Sequence, residues 1–242
     1  LRRSSAASDV YKRQTLDTGA LSTFATLADA GGQVNNFTIT LSGNSADAGD
    51  LDTLRQKSSV NIDINSLNTL TGSFSELQTF DTNKTNYANN TGIANVTLST
   101  GTIAEADQLD TLSTNLTTLY ASGTTDIDLT NITAISGTYA QVEAIVDGVS
   151  SGSYSNLSGT DLTVDTGTID VTEANKLSAA TTGDVTATLA TGNLASFSGL
   201  SSDSQPSGGN SFAITVTGTS LDAGELALSL IHISEPTRPN EI

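Results

Sequence analysis

The sequence predicts an α/β repeat protein: a solenoid of short parallel strands with short helices along one side. Three observations predict it. One stretch recurs 175 residues further on, shorter strand-and-helix motifs recur inside that period, and the helices they imply are only about two or three turns long. Helices that short are marginal alone in water, so they must pack on strands and on neighbouring repeats. A parallel β-helix-like rod, with its helices reduced to turns, is the alternative. Tandem β-sandwiches come third, because the motif spacings fall well below the roughly 100 residues of an immunoglobulin-type domain.

The long period is carried by Asn35–Leu51, NNFTITLSGNSADAGDL, and Asn210–Leu226, NSFAITVTGTSLDAGEL, identical at ten of seventeen positions without a gap. Upstream, Leu21, Phe24 and Leu27 correspond to Leu194, Phe197 and Leu200, across a Gly-rich loop that differs by two residues. Within the period a first-half motif recurs at Ile39, Val96 (VTLSTGTIAEADQLDTL), Leu162 and Ile214. Its glycine stands at Gly43, Gly101, Gly167 and Gly218, at spacings of 58, 66 and 51 residues. A second-half motif occurs as IDINSLNTLTGSFSELQTF from Ile62 and IDLTNITAISGTYAQVEAI from Ile127, at a constant offset of 65. A degenerate third copy runs from Val185 to Gly199.

Each half reads as a strand followed by a short helix. Alternation in Thr38-Ile39-Thr40-Leu41 and Val60-Asn61-Ile62-Asp63-Ile64 marks strands. Reciprocal caps mark helix starts at Thr102 with Glu105, Ser73 with Glu76, Thr138 with Gln141, Asp170 with Glu173 and Asp222 with Glu225. In each, the first side chain accepts the amide three residues on, and the second reaches back to the first residue's amide. Leu109 with Leu112, and Leu77 with Phe80, supply one apolar stripe per helix. Two places break the pattern, Arg55–Val60 and the insert Asn115–Ala121, and both argue against a perfectly regular stack.

The two ends carry a different signal. Ser4–Gln14 (SSAASDVYKRQ) and Leu228–Arg238 (LSLIHISEPTR) resemble translated adapters of transposase-based sequencing libraries. The shared transposon end encodes DVYKRQ, and its complementary strand encodes LSLIHI. Such scars are excluded from fold reasoning. The expected organisation is adapter-derived residues at 1–14 and 228–242, and a repeat region at 15–227 with units starting near 37, 96, 162 and 213. The lack of any Met marks the chain as a fragment of a longer reading frame.

Excluding the ends changes the chemistry. His232, the single histidine, falls within the adapter-like stretch. The repeat region keeps four bases, Arg55, Lys57, Lys84 and Lys176, against 23 acids, a net charge of −19. That surface repels nucleic acid and anionic membranes. No apolar run approaches the roughly 20 residues that span a bilayer. Without Cys there are no disulfides or thiolate metal sites, and without His the common base at neutral pH is missing. Paired carboxylates would suit a glycosidase. However, the acids recur with the repeat, as structural residues do, so no enzyme is expected.

The acidic turns supply the metal candidates: Asp47, Asp50 and Asp52, and Asp126 with Asp128, joined by Glu105, Asp107 and Asp110. Calcium takes six to eight oxygens, which such carboxylates offer. Capping and complementation of helix dipoles explain the same residues without a ligand. Asp81–Gly92 begins like a calcium loop but ends in Gly, and no GGxGxD run occurs. No cofactor is expected, with calcium the candidate exception. The aromatics Tyr120, Tyr139 and Phe74 read as filling gaps between repeats.

The motifs ISGTYAQVEAIV, LTGSFSELQTF, EADQLDTL and EANKLSAATTGDVTATLA resemble repeats of giant secreted or cell-surface proteins of marine bacteria, cyanobacteria especially. The resemblance covers most of 15–227. It implies an extracellular segment for spacing, coating, adhesion or surface-associated motility. Its expected partners are neighbouring repeats of the same chain and cell-surface or extracellular polysaccharide. The alternative is a calcium- or glycan-binding repeat module that uses the acidic turns.

Overall fold

The computed structural model describes residues 14–27, 35–99, 103–201 and 209–218. The chain is mixed α/β, with parallel sheets and six helices among these residues. It divides into two compact units, residues 1–100 with 111–129, and residues 101–110 with 130–242.

The first unit opens with β1 (Gln14–Thr15), α1 (Leu21–Phe24), β2 (Phe37–Thr38), β3 (Ser45–Asp47) and α2 (Ala48–Arg55). It continues with β4 (Ile62–Asp63), β5 (Thr69–Gly72), α3 (Phe74–Asn83), β6 (Tyr87–Ala88) and β7 (Asn95–Leu98). Then come β8 (Ile103–Glu105), α4 (Ala106–Leu116), whose two halves fall in different units, and β9 (Asp126–Asp128). The second unit proceeds through β10 (Ala134–Thr138), α5 (Tyr139–Ser151), β11 (Tyr154–Ser155) and β12 (Asp161–Thr166). It closes with α6 (Val171–Ala180), β13 (Val185–Thr188) and β14 (Ser211–Ala213).

In the first unit β3, β5, β7 and β9 pair in that order, all parallel. The register stacks Ala46, Leu70, Val96 and Ile127 into one row of buried side chains. A second parallel ladder runs β1 to β2, then through the bridge Thr40–Asp63 to β4 and β6. In the second unit β8, β10, β12, β13 and β14 pair in order, again parallel. Here Ile135, Leu162 and Val185 form the buried row. Residues paired across these ladders lie 23 to 31 positions apart, so each repeat unit read from the sequence holds two strand crossings.

The expected caps are present on three helices. Ser73 with Glu76, Thr138 with Gln141, and Asp170 with Glu173 each form the full reciprocal pair. Asp222 with Glu225 lies outside the described residues, as does Thr102. Glu105 is a correction: it ends β8, and α4 starts only after it. The reason is the ladder. Ile103–Glu105 pair with Ala134–Ser136, which holds the backbone extended through Glu105. The first-half motif therefore contributes a second strand between its glycine and its helix, as β3 does after Gly43.

The apolar stripes point inward as expected, with Leu77, Phe80, Leu109 and Leu112 buried. The insert Asn115–Ala121 is not a loose break: it finishes α4 and a 3-10 turn, and its Leu116 and Leu119 are fully buried. At the other irregular place, Ser58 Oγ donates to the Phe37 carbonyl at 2.8 Å and accepts the Phe37 amide at 3.1 Å. Tyr120, Tyr139 and Phe74 are only half-buried; the buried aromatics include Phe24, Phe80, Tyr87 and Tyr154.

Candidate functional site

Many ionisable side chains among the described residues carry a structural task. Asp47 is the N-cap of α2, its Oδ1 accepting the amides of Gly49 (2.9 Å) and Asp50 (3.3 Å). Its Oδ2 accepts a bond from Thr71 Oγ1 at 3.4 Å. Asp50 lies exposed in the first turn of α2, where a carboxylate complements the helix dipole. Asp52 faces α3 instead. It pairs with Arg55 (2.7 Å) and accepts from Gln56 Nε2 (2.7 Å) and Asn83 Nδ2 (3.2 Å). Asp126 and Asp128 are the half-buried positions of β9, flanking fully buried Ile127. Among the described residues no group of three or more carboxylates is placed to hold a metal ion. Asp81–Gly92, the loop with a calcium-like start, is instead the end of α3, a 3-10 turn and β6.

Two lysines join helices to neighbouring segments. Lys84 pairs with Asp81 (2.9 Å) and donates to the Asn115 carbonyl (3.1 Å). Lys176 of α6 reaches Glu143 and Asp147 of α5, each at 2.7 Å, while Tyr139 donates to the same Glu143 oxygen at 2.7 Å. Lys176, with Tyr139, holds the Glu143 carboxyl below its ordinary range. The Asp147 and Glu143 carboxylates push the Lys176 ammonium up, and burial followed by Glu143 raises the Tyr139 phenol. Glu76 is lowered by the Ser73 amide and hydroxyl it accepts. Burial raises the Tyr87 phenol, with Asp52 adding to it.

A lowered carboxyl stabilises the fold above its unfolded pKa, and that contribution disappears as pH falls through the folded value. Glu76→Gln with Glu143→Gln is therefore expected to lower the melting temperature at pH 7. The gap to the parent should close as pH drops from about 5 to about 3, across the ordinary carboxylate range. Comparing the two proteins at each pH cancels the general relief of repulsion in so acidic a chain. A gap that stays constant would refute both carboxyl roles.

A further set of polar side chains connects successive strands. Asn95 Nδ2 donates to Asn68 Oδ1 at 2.9 Å, and the amides of Asn68 and Thr69 donate to the Asn44 carbonyl. In the second unit Asp161 Oδ1 accepts the Asp184 amide (2.8 Å), and Asp184 Oδ1 accepts the Gly209 amide (3.0 Å). Three buried threonines, Thr125, Thr160 and Thr181, each donate to carbonyls of a neighbouring segment. Sequence reasoning missed these residues, although Asn and Asp recurring at 23 to 27 positions was a usable signal.

One hollow of 390 Å³ lies beside α1 and α2, lined by Leu21, Phe24, Leu54 and Ala25 with Asp50 and Lys57 at its polar side. Its lining holds neither a histidine nor a cysteine, and Thr53 Oγ1 donates to the Gly49 carbonyl at 3.0 Å. No helix among the described residues is long and apolar enough to cross a membrane. Comparison with protein-family models, with curated proteins and with solved structures returned no match for this chain.

Proposed function

We propose that the chain is a non-catalytic structural or adhesive repeat segment of a large extracellular or cell-surface protein. On this reading each compact unit winds as an α/β solenoid, with its short helices along one side. The supporting observation is the parallel pairing of strands 23 to 31 residues apart, crossing after crossing, with polar side chains joining successive crossings. In such a stack the stability of each turn depends on its neighbours, which suits a spacer or a coating. The likeness of its motifs to repeats of giant exoproteins supports an extracellular setting. The partners are then neighbouring repeats and polysaccharide, which an acidic, hydroxyl- and amide-rich surface engages through hydrogen bonds.

The test inserts a second copy of Phe37–Ser211 after Ser211, so that the next residue is again a Phe of the long period. Stacked turns predict a higher urea midpoint and a single steeper transition, because buried area and interfaces both increase. An unchanged midpoint, with only the amplitude doubled, would show independent modules and end the solenoid reading. A calorimetric calcium titration of the unmodified chain separates the alternative. The structural reading expects no heat and no change in melting, whereas binding heat with a raised melting temperature would favour a calcium module.

A further inference from the structure

The first turn of the first unit and the last described turn of the second share one pattern of backbone bonds, around α1 in the one and a 3-10 turn at Leu194–Phe197 in the other. Thr15 pairs with Thr38 as Thr188 pairs with Ala213. Gly19 donates to the Thr40 carbonyl at 3.3 Å, and Gly192 to that of Thr215 at 3.3 Å. The Ser42 amide reaches Gly19 at 2.8 Å, and the Thr217 amide reaches Gly192 at 2.8 Å. Leu27 closes on Phe24 as Leu200 closes on Phe197, both at 3.0 Å.

The two turns differ on one side. In the second unit β12 and α6 cover it. The Thr188 carbonyl accepts the Ile169 amide (2.9 Å), the Ala190 amide donates to the Ile169 carbonyl (2.8 Å), and Leu189 is buried beneath. Asn175 of α6 also holds the Gly199 carbonyl (2.8 Å) and the Ser201 amide (2.8 Å). In the first unit the corresponding groups are the Thr15 carbonyl, the Asp17 amide, Leu16 and the Thr26 carbonyl. Among the described residues no strand pairs with that edge of β1, and Leu16 is half-exposed where Leu189 is buried.

We infer that this face of β1 and α1 is a docking surface for one partner, a turn like Asp161–Thr186 from a second copy of the repeat. The partner's strand would bond the Thr15 carbonyl and Asp17 amide in parallel, and its helix would seat an Asn against the Thr26 carbonyl. Open strand edges take up such partners readily. The matched hydrogen bonds specify which strand and in which register.

The inference rests on the stacked-turn reading, and its test uses a different edge from the duplication above. A copy of Asp161–Thr186 is inserted directly before Gln14 of the full chain, and hydrogen exchange is followed at Asp17. Docking slows exchange at Asp17 by about tenfold or more, the protection expected of one added hydrogen bond. Ile169→Pro within the inserted copy alone, which removes the donor for Thr15, is expected to reverse much of that protection. An Asp17 amide exchanging at its original rate, whether or not the added turn is itself protected, overturns the docking surface. The stacked-turn reading would survive that result if the internal duplication still raises the midpoint.

Discussion

Phe80→Ala is expected to remove about 3–5 kcal/mol of stability, the range for deleting a buried Phe ring. Phe80 is fully buried on the inner side of α3, its ring stacked on Tyr87 with centroids 4.8 Å apart and planes 20° apart. Two terms add. The lost ring forfeits its own transfer free energy and leaves a cavity, and Tyr87 loses an aromatic partner worth about 0.5–1.5 kcal/mol beyond area. Since domains are stable by only about 5–15 kcal/mol, this single change should leave the first unit close to its threshold. Urea titration followed by circular dichroism reads it directly. Phe80→Leu should recover most of the loss, because it refills the space without the stack. A cost below about 1 kcal/mol would contradict the burial described.

The second large effect runs against helix propensity. Gly148 lies inside α5, where Gly→Ala ordinarily gains about 0.5–1 kcal/mol. Here a Cβ would stand 2.4 Å from Cδ2 of Tyr154 and 2.7 Å from Cε2. That ring is buried, so it cannot swing into solvent. Overpacking of this kind costs about 1–3 kcal/mol, which outweighs the propensity gain and reverses the sign. Gly148→Ala should therefore destabilise the chain in thermal melts. The same substitution in a Tyr154→Ala background, where the ring is gone, should be neutral or stabilising. If Gly148→Ala raises the melting temperature of the parent, the packing of β11 against α5 is wrong.

Both effects concern contacts with no local signature in the chain. Phe80 was readable as part of a stripe with Leu77, because helical spacing places both on one face. Its stacking on Tyr87 was not, since the partner arrives from the strand of the next crossing. Tyr154 meets Gly148 only because the chain reverses after the left-handed Gly152, which has φ +81°.

The same division runs through the candidate site. Asp47, Asp50 and Asp52 were legible as an acidic group, but only their placement assigns one to a cap, one to a dipole and one to the neighbouring helix. Glu105 was misplaced because a cap pattern is judged from four residues, whereas the strand that overrides it is held by Ala134–Ser136.

Local order followed from side chains within a few positions of each other: alternating strands, apolar pairs, and the caps of α3, α5 and α6. The long period was equally plain, and the turns at Thr15 and Thr188 repeat it in their backbone bonds to the next strand. Which strand lies beside which was not readable. The motif copies at Ile62 and Ile127 share a strand, a loop and a capped helix, and their strands take equivalent neighbours: β5 lies between β3 and β7, and β10 between β8 and β12. Ladder bonds are made by backbone groups identical at every residue, so a motif by itself does not name the strand it pairs with. The choice rests on which buried rows pack together, and that is a property of the folded chain.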